Sequence, residues 1–495
     1  MGLRHQIQRL VDAAPDEQQA IGLRNEWWTW QQVRDLGRAV DETCTAVGLP
    51  EGARVGLALQ NRPEFAALAL GVLASGRCVT TLNPMQPSQR LAADIVRTAP
   101  PIVVGASSVI DDPAVREAIE SVGLAVTVDS AGVLSGTDGP RTWSDDSFAP
   151  ETAIEMLTSG TTGPPKRIQL GYAQLDSAFA AIGSAGVPEF SMSVAIVSAP
   201  LVHIGGLWHA LNTLLAGRRL VLMEKFRVAD WVAEVEAYRP KIVSLVPAAL
   251  QAVLDADVPA ESLSSVRAVT SGTAPCPPEL ADAVFDRYGI AVLTTYGATE
   301  FAGAVAGWSL ADHREWMPAK RGSVGRPFRG VTIRAVDVES AAPLESGEEG
   351  RLQVRSAQLG DADTWTPTSD LGRVDADGFI FITGRADDAI LRGGFKVQPG
   401  TVQKVLESHP AVRAAAVAGL PDERLGHVPV AAVELVAGGD APTPEELKEW
   451  AREHLVPYEV PTRILIVDEL PRTVSLKISR AEVAALFDTG IVEKA

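Results

Sequence analysis

The sequence predicts an α/β protein: a large N-terminal domain of helix-covered parallel sheets carrying a small β subdomain, then a small C-terminal α+β domain. Three observations lead there. Short apolar runs alternate with amphipathic stretches through the first three quarters of the chain, a strand-rich stretch follows at 330–383, and the texture changes past the charged residues 385–388. Strands alternating with helices imply parallel βαβ sheets covered on both faces.

Residues 54–59 read as a strand, and 64–73 as the helix packed on it. Residues 241–246 read as a buried strand, 248–256 after Pro247 as a helix, and 266–271 as a strand before the turn Pro275-Cys276-Pro277-Pro278. Strands are expected at 330–338, 350–354 and 379–383. In the tail, helices are expected at 401–408 and 444–453 and strands at 411–419 and 428–436. The division is therefore an N-terminal domain over 1–384, a hinge over 385–388 and a C-terminal domain over 389–495.

A length of 495 residues suggests several cores, roughly two to four domains. Hydrophobic residues at 46% and charged ones at 21% belong to a folded globular protein. The net charge of −18 argues against nucleic acid or anionic membrane as partner. No apolar run reaches spanning length. The start Met1-Gly2-Leu3-Arg4-His5-Gln6 lacks a signal-peptide core, so a cytoplasmic protein is expected. Cys44, Cys78 and Cys276 have no metal-like spacing and read as reduced, buried thiols.

The strongest chemical signal is the run Ile154-Glu155-Met156-Leu157-Thr158-Ser159-Gly160-Thr161-Thr162-Gly163-Pro164-Pro165-Lys166. An apolar strand enters a loop of hydroxyls and glycines, stiffened by two prolines and closed by a lysine. Glycines let backbone N–H groups face an anion, hydroxyls add donors, and lysine adds a full charge. It is a phosphate cradle of the form Gly-x-x-Gly-x-x-Lys. It is not a Walker loop, because Arg167 stands where that loop needs Ser or Thr.

Thr158 to Lys166 resembles the signature of the adenylate-forming superfamily, which includes acyl- and aryl-CoA synthetases, peptide-synthetase adenylation domains and luciferases. Further motifs follow in that family's order. Thr294-Thr295-Tyr296-Gly297-Ala298-Thr299-Glu300 resembles its Tyr-Gly-x-Thr-Glu element. Gly322 to Pro327 and Gly347 to Gly350 resemble two glycine motifs, Thr368-Ser369-Asp370 resembles Thr-Gly-Asp, and Gly384 to Asp388 resembles the hinge. Arg392-Gly393-Gly394-Phe395-Lys396 opens the small domain, and Leu470-Pro471-Arg472-Thr473 through Lys477 closes it.

The resemblance implies a role for each position. Thr158, Ser159, Gly160, Thr161, Thr162, Gly163 and Lys166 would hold the ATP phosphates. Glu300 would bind the Mg²⁺ that bridges them, since a hard cation takes carboxylate and phosphate oxygen. Thr299 would bond the α-phosphate and Tyr296 would stack near adenine. Asp370 would accept the ribose hydroxyls, helped by Arg385. Lys477 would be catalytic: it offsets the repulsion between the acid's carboxylate and the α-phosphate, with no proton abstraction. The small domain is expected to swing about Asp387, presenting either Lys477 or the Gly393-Gly394 loop. Arg392 and Lys396 read equally as contacts for CoA phosphates and as a solvated charged loop.

In the family the acid lies between the stretch around His203 and the strand before Tyr296. The candidates here are His203, Gly206, Ser271, Gly272, Thr295, Gly297, Ala298 and Ala302. Most are small, so a roomy apolar pocket for an aryl or bulky acyl group is expected. His203 reads equally as a gate to that pocket and as a packed core histidine. Three departures from the family pattern stand out: Leu476 replaces the glycine before the catalytic lysine, Ser369 sits within Thr-Gly-Asp, and 358–365 is shortened. The expected reaction is ATP-dependent formation of an acyl-adenylate and transfer to CoA. Capture by an amine, or by a carrier protein in trans, are the alternatives.

Overall fold

The computed structural model describes residues 2–136, 143, 147–158, 166–182, 190–386, 389–392, 395–422, 424–436, 441–473 and 477–488, apart from the side chains of Thr158 and Lys396. Compactness divides these residues into two units, one drawn from 1–158, 165–332 and 355–364 and the other from 333–354 and 365–495.

The first unit holds three sheets. The largest runs in the order Leu134–Ser135, Leu124–Val128, Ile102–Gly105, Arg54–Ala58, Cys78–Leu82, Thr152–Thr158, Lys166–Gly171. Its middle five strands are parallel and each edge is antiparallel. The expected strand at 54–59 and helix at 64–73 are there, as Arg54–Ala58 and Pro63–Ala74. Eleven of that helix's residues are buried, so it is apolar all round and lies inside the unit. Pro63 starts it at a position whose N–H would have no partner in the helix.

A second sheet orders Ile242–Ser244, Ala268–Ser271, Ala291–Ala298, Gly303–Gly307 and Arg326–Pro327. Its first three strands are parallel, as the alternating pattern predicts, and it then turns antiparallel. A third, four-stranded sheet joins Val194–Val197 and Arg219–Leu222 to the early strands Gln19–Leu23 and Glu26–Thr29. Those early strands have no counterpart in the sequence reading. They sit beside the helix Trp30–Ala46, which Thr29 and Gln32 close in a capping box.

The second unit contains an antiparallel pair, Asp361–Val374 with Ile380–Arg385, and a C-terminal sheet. That sheet pairs Val412–Asp422 with Gly426–Leu435, and Arg463–Val467 lies parallel to the latter. Helices Pro399–Glu407 and Pro444–His454 pack on it, close to the expected 401–408 and 444–453. Contacts group 333–354 and 365–384 with this C-terminal part, whereas the change of texture at 385 attaches them to the large domain. The hinge residue Asp387 lies outside the described residues.

Among the described residues no helix is long and apolar enough to cross a membrane. The three cysteines are free. Burial pushes Cys44 up to about 11 and Cys78 and the half-buried Cys276 to about 12.

His209, on the helix Ile204–Leu215, is pushed down to about 4 by burial and by the charge of Arg218. An unfolded-state histidine titrates near 6.5. Below that pH the unfolded chain takes up a proton that the folded ring refuses, so stability falls from pH 6.5 toward 4. His209→Gln is expected to remove part of that acid loss, up to about 3 kcal/mol. Urea midpoints across this pH range check it; an unchanged acid slope contradicts it.

Candidate active site

Thr158 and Lys166 are the last backbone pair of an antiparallel hairpin, so they form the two roots of the hydroxyl- and glycine-rich segment. Lys166 is exposed. Ser159, Gly160, Thr161, Thr162 and Gly163 lie outside the described residues, as does the side chain of Thr158.

The Tyr-Gly-x-Thr-Glu element is a second hairpin. Strands Ala291–Ala298 and Gly303–Gly307 pair through Gly297↔Ala304 and Ala298↔Gly303, with a register shift after Tyr296. Between them Thr299–Phe301 forms one 3₁₀ turn, and Ala302 reverses the chain in the left-handed region at φ 57°. A non-glycine residue held there marks a turn its surroundings impose. Glu300 is thereby presented at the exposed tip, with Thr299 half-buried beside it. Tyr296 is buried, its ring edge-on to Phe301 at 6.2 Å.

Gln358, which the sequence reading passes over as part of a shortened segment, holds this turn. It is fully buried, and its Nε2 donates to the carbonyls of Phe301 at 2.8 Å and Ala304 at 3.2 Å. Trp308 Nε1 and Thr294 Oγ1 both donate to Ser323 O, at 2.8 and 3.1 Å, tying the glycine motif at 322–327 to the base of the same hairpin.

The acyl-pocket candidates fall on elements of the first unit, but their small size has another use. A Cβ on Gly206 would stand 2.2 Å from Pro200 O, one on Gly297 2.3 Å from Gly303 O, and one on Gly272 2.3 Å from Thr295 Oγ1. Each glycine admits a close neighbour, a carbonyl at Gly206 and Gly297 and a hydroxyl at Gly272. Ala302 is fully buried in the main apolar cluster, and Ser271 is buried as well. Thr295 Oγ1 donates to Ser271 O at 3.3 Å, and Ala298 is half-buried.

His203 stands at the N-cap position of the helix Ile204–Leu215, with no capping bond from its side chain. The segment leading to it is fixed by Asn61, another residue the sequence did not flag. Asn61 Nδ2 donates to Ala199 O and Met223 O, and its Oδ1 accepts from Leu201 N at 2.7 Å. One turn into the helix Trp208 stacks on Phe179, ring centroids 5.6 Å apart, with its indole edge against Gly303.

In the second unit Asp370 and Arg385 face each other across two strands, so the structure brings this predicted pair together. Thr368 Oγ1 accepts from Asp370 N and donates to Leu352 O, which fixes the aspartate's backbone. Lys477 stands on a short hairpin. Thr473 N donates to Lys477 O at 2.7 Å, and Arg472 bridges Ile478. The buried Glu434 anchors its base, with Oε1 accepting from Leu470 N at 2.6 Å and lying 3.5 Å from Arg472 Nη2. Leu476 lies outside the described residues, as do Gly393 and Gly394 and the side chain of Lys396. Arg392 Nη1 donates to the carbonyls of Pro457, Tyr458 and Val460, so much of that guanidinium is committed within its own unit.

A groove of about 900 Å³ opens elsewhere in the first unit, lined by Arg4, Arg34, Asp41, Glu51 and Arg77 among others. Within it Glu51 pairs with Arg4 and Asp41 with Arg77.

The order of the motifs and the sheets that carry them are those of an adenylate-forming ligase. Residues 7–361 match the family described as AMP-binding enzyme, and residues 401–477 match its C-terminal domain; the chain belongs to this family. It is 30% identical to a 4-coumarate–CoA ligase of Petroselinum crispum, over 96% of this chain and 91% of that protein. Among solved structures, amide bond synthetase McbA from Marinactinospora thermotolerans is 28% identical, with a TM-score of 0.80 over 98% of this chain and 99% of that one. ATP-bound MatB from Rhodopseudomonas palustris shares the fold, with a TM-score of 0.84 at 24% identity over 99% of both chains.

Gln358→Ala is expected to cost about 1–3 kcal/mol, because two buried carbonyls lose their donor. It should also raise the ATP requirement of the reaction, since the Thr299–Glu300 turn loses its support. Thermal melts and ATP titrations check this; a melt and a KM for ATP both unchanged contradict it.

Proposed function

We propose that the protein activates an aryl or bulky carboxylic acid as its acyl-adenylate and then transfers the acyl group to CoA. The carboxylate oxygen attacks the α-phosphorus of ATP and pyrophosphate leaves. The CoA thiol then attacks the acyl carbon and AMP leaves. What carries the reading is the likeness to 4-coumarate–CoA ligase along nearly the whole chain, in a sequence that keeps Lys166, Glu300, Asp370 and Lys477.

In this reading the 158–166 loop and Lys166 hold the β- and γ-phosphates, Thr299 bonds the α-phosphate, Tyr296 lies beside adenine, and Asp370 with Arg385 takes the ribose. Lys477 supplies positive charge where carboxylate and phosphate meet, which lowers the barrier through positioning and electrostatics. No cluster of three or more metal-ligating side chains occurs among the described residues. A single carboxylate at Glu300 fits Mg²⁺, which completes its shell with phosphate oxygens and water. When bound there, Mg²⁺ would neutralise phosphate charge. The 385–388 segment, with Asp387, is the proposed hinge, and 389–495 the proposed lid.

A second reading keeps the first step and gives the adenylate to an amine. It is favoured by the likeness to amide bond synthetase McbA and by the commitment of Arg392 to three carbonyls, which leaves it less able to meet CoA phosphates.

One assay separates the two. Purified protein is given panels of aryl and alkyl acids with ATP and Mg²⁺, alone, with CoA and with amines, and pyrophosphate and product mass are scored. Thioester formed only with CoA is the expected result, whereas amide formed without CoA establishes the second reading. No pyrophosphate release with any acid would sink both. Lys477→Ala should lower acid-dependent ATP–pyrophosphate exchange by about 10²-fold or more, yet leave capture of a supplied acyl-adenylate within a few-fold. Equal loss of both steps contradicts the assigned role. Glu300→Gln should raise the Mg²⁺ concentration needed for half-maximal exchange about tenfold; an unchanged Mg²⁺ titration places the metal elsewhere.

A further inference from the structure

We infer that Arg167 is a positioning residue for the triphosphate: its buried ion pair with Asp94 sets the root of the 158–166 loop and the direction in which Lys166 faces. This rests on the reading of that loop as the phosphate holder.

The strand Lys166–Gly171 is an edge strand, paired on one side only, with Thr152–Thr158. An edge strand has the least to fix its twist. Arg167 is the second residue after the loop and pairs with Leu157, one step in from the Thr158↔Lys166 pair. Its guanidinium reaches three other elements or strands of the unit. Nη2 donates to Asp94 Oδ2 at 2.9 Å, on the helix Ser88–Thr98, and to Thr81 O at 3.1 Å, on the strand Cys78–Leu82. Nη1 donates to Glu155 O at 3.3 Å, on the partner strand. The Asp94 side chain is 4% exposed and that of Arg167 12%. Glu155 secures the same hairpin a step further in, accepting from Arg54 Nε, Thr80 Oγ1 and Gln169 Nε2.

Successive side chains of a strand point to opposite faces. Drawing Arg167 toward the Ser88–Thr98 helix therefore turns Lys166 to the other face, where it is exposed. A buried ion pair adds little net stability over a well-packed apolar pair, because desolvation offsets most of the attraction. Its advantage here is geometric, since one planar group bonded to a helix and two strands permits a single setting of the loop's root. Asp94 is shared with Arg97, whose Nη2 lies 2.6 Å from Oδ1, and the bonds to Asp94, Thr81 O and Glu155 O commit the Arg167 guanidinium although it adjoins Lys166. The charge presented outward at the root is the lysine's.

AMP shares adenosine and the α-phosphate with ATP and lacks the two phosphates assigned to this loop, so the two nucleotides separate positioning from general stability. Calorimetric titration with each is carried out on the full chain and on Arg167→Gln, Arg167→Lys and the double variant Arg167→Gln/Asp94→Asn, which leaves no unpaired buried charge from this pair. Arg167→Gln is expected to weaken ATP about tenfold or more while AMP stays within about twofold. Arg167→Lys, which keeps the charge but not the planar fork, should keep most of the ATP defect. The double variant should melt near the unaltered protein yet keep the ATP defect. Equal weakening of ATP and AMP, or unchanged ATP affinity in the folded double variant, overturns the inference. Failure of the unaltered chain to bind ATP brings down the reading beneath it, and the inference with it.

Discussion

Two anions must meet in the proposed reaction, on a chain that itself carries a net charge of −18. Unscreened like charges at contact distance repel strongly in a partly dehydrated site. Such a protein cannot rely on its overall field to gather ATP and a carboxylate; positive charge has to be placed locally and held there. Lys166 at the root of one hairpin and Lys477 on another are the charges the account depends on, and the rest of the described architecture can be read as what fixes hairpins like these.

The holding is done mainly by buried polar groups that act through backbone. Gln358 bonds two carbonyls of the Glu300 turn, Asn61 bonds three backbone groups around the His203 segment, and Glu434 grips the base of the Lys477 hairpin. Breaking such a buried bond leaves its backbone partner unsatisfied, so each of these favours one local geometry over others. In the Glu300 turn these bonds act together with the burial of Phe301 and Ala302.

The sequence made the chemistry legible where residue type and spacing carry it. The run of hydroxyls and glycines ending in Lys166, the Thr299-Glu300 pair and Asp370 are short local patterns, and the structure sets the last of these directly opposite Arg385. Helices with clear boundaries, such as the one Pro63 starts and the one Thr443 and Glu446 cap, were equally readable. What escaped notice acts across long sequence separations: Asn61 reaches residues about 140 and 162 positions away, and Gln358 reaches back over 50. No periodicity encodes such contacts. The small residues near the proposed acid site have a use that residue type alone does not show: Gly206 and Gly297 each admit a carbonyl from a nearby turn, Pro200 O and Gly303 O.

The central claim is that the acid's oxygen attacks the α-phosphorus of ATP, and isotope transfer tests it directly. A turned-over acid labelled with ¹⁸O in its carboxylate should deliver one labelled oxygen to AMP per turnover and leave pyrophosphate unlabelled. Label appearing in inorganic phosphate, with ADP as the nucleotide product, would mean attack at the γ-phosphorus and would contradict the account.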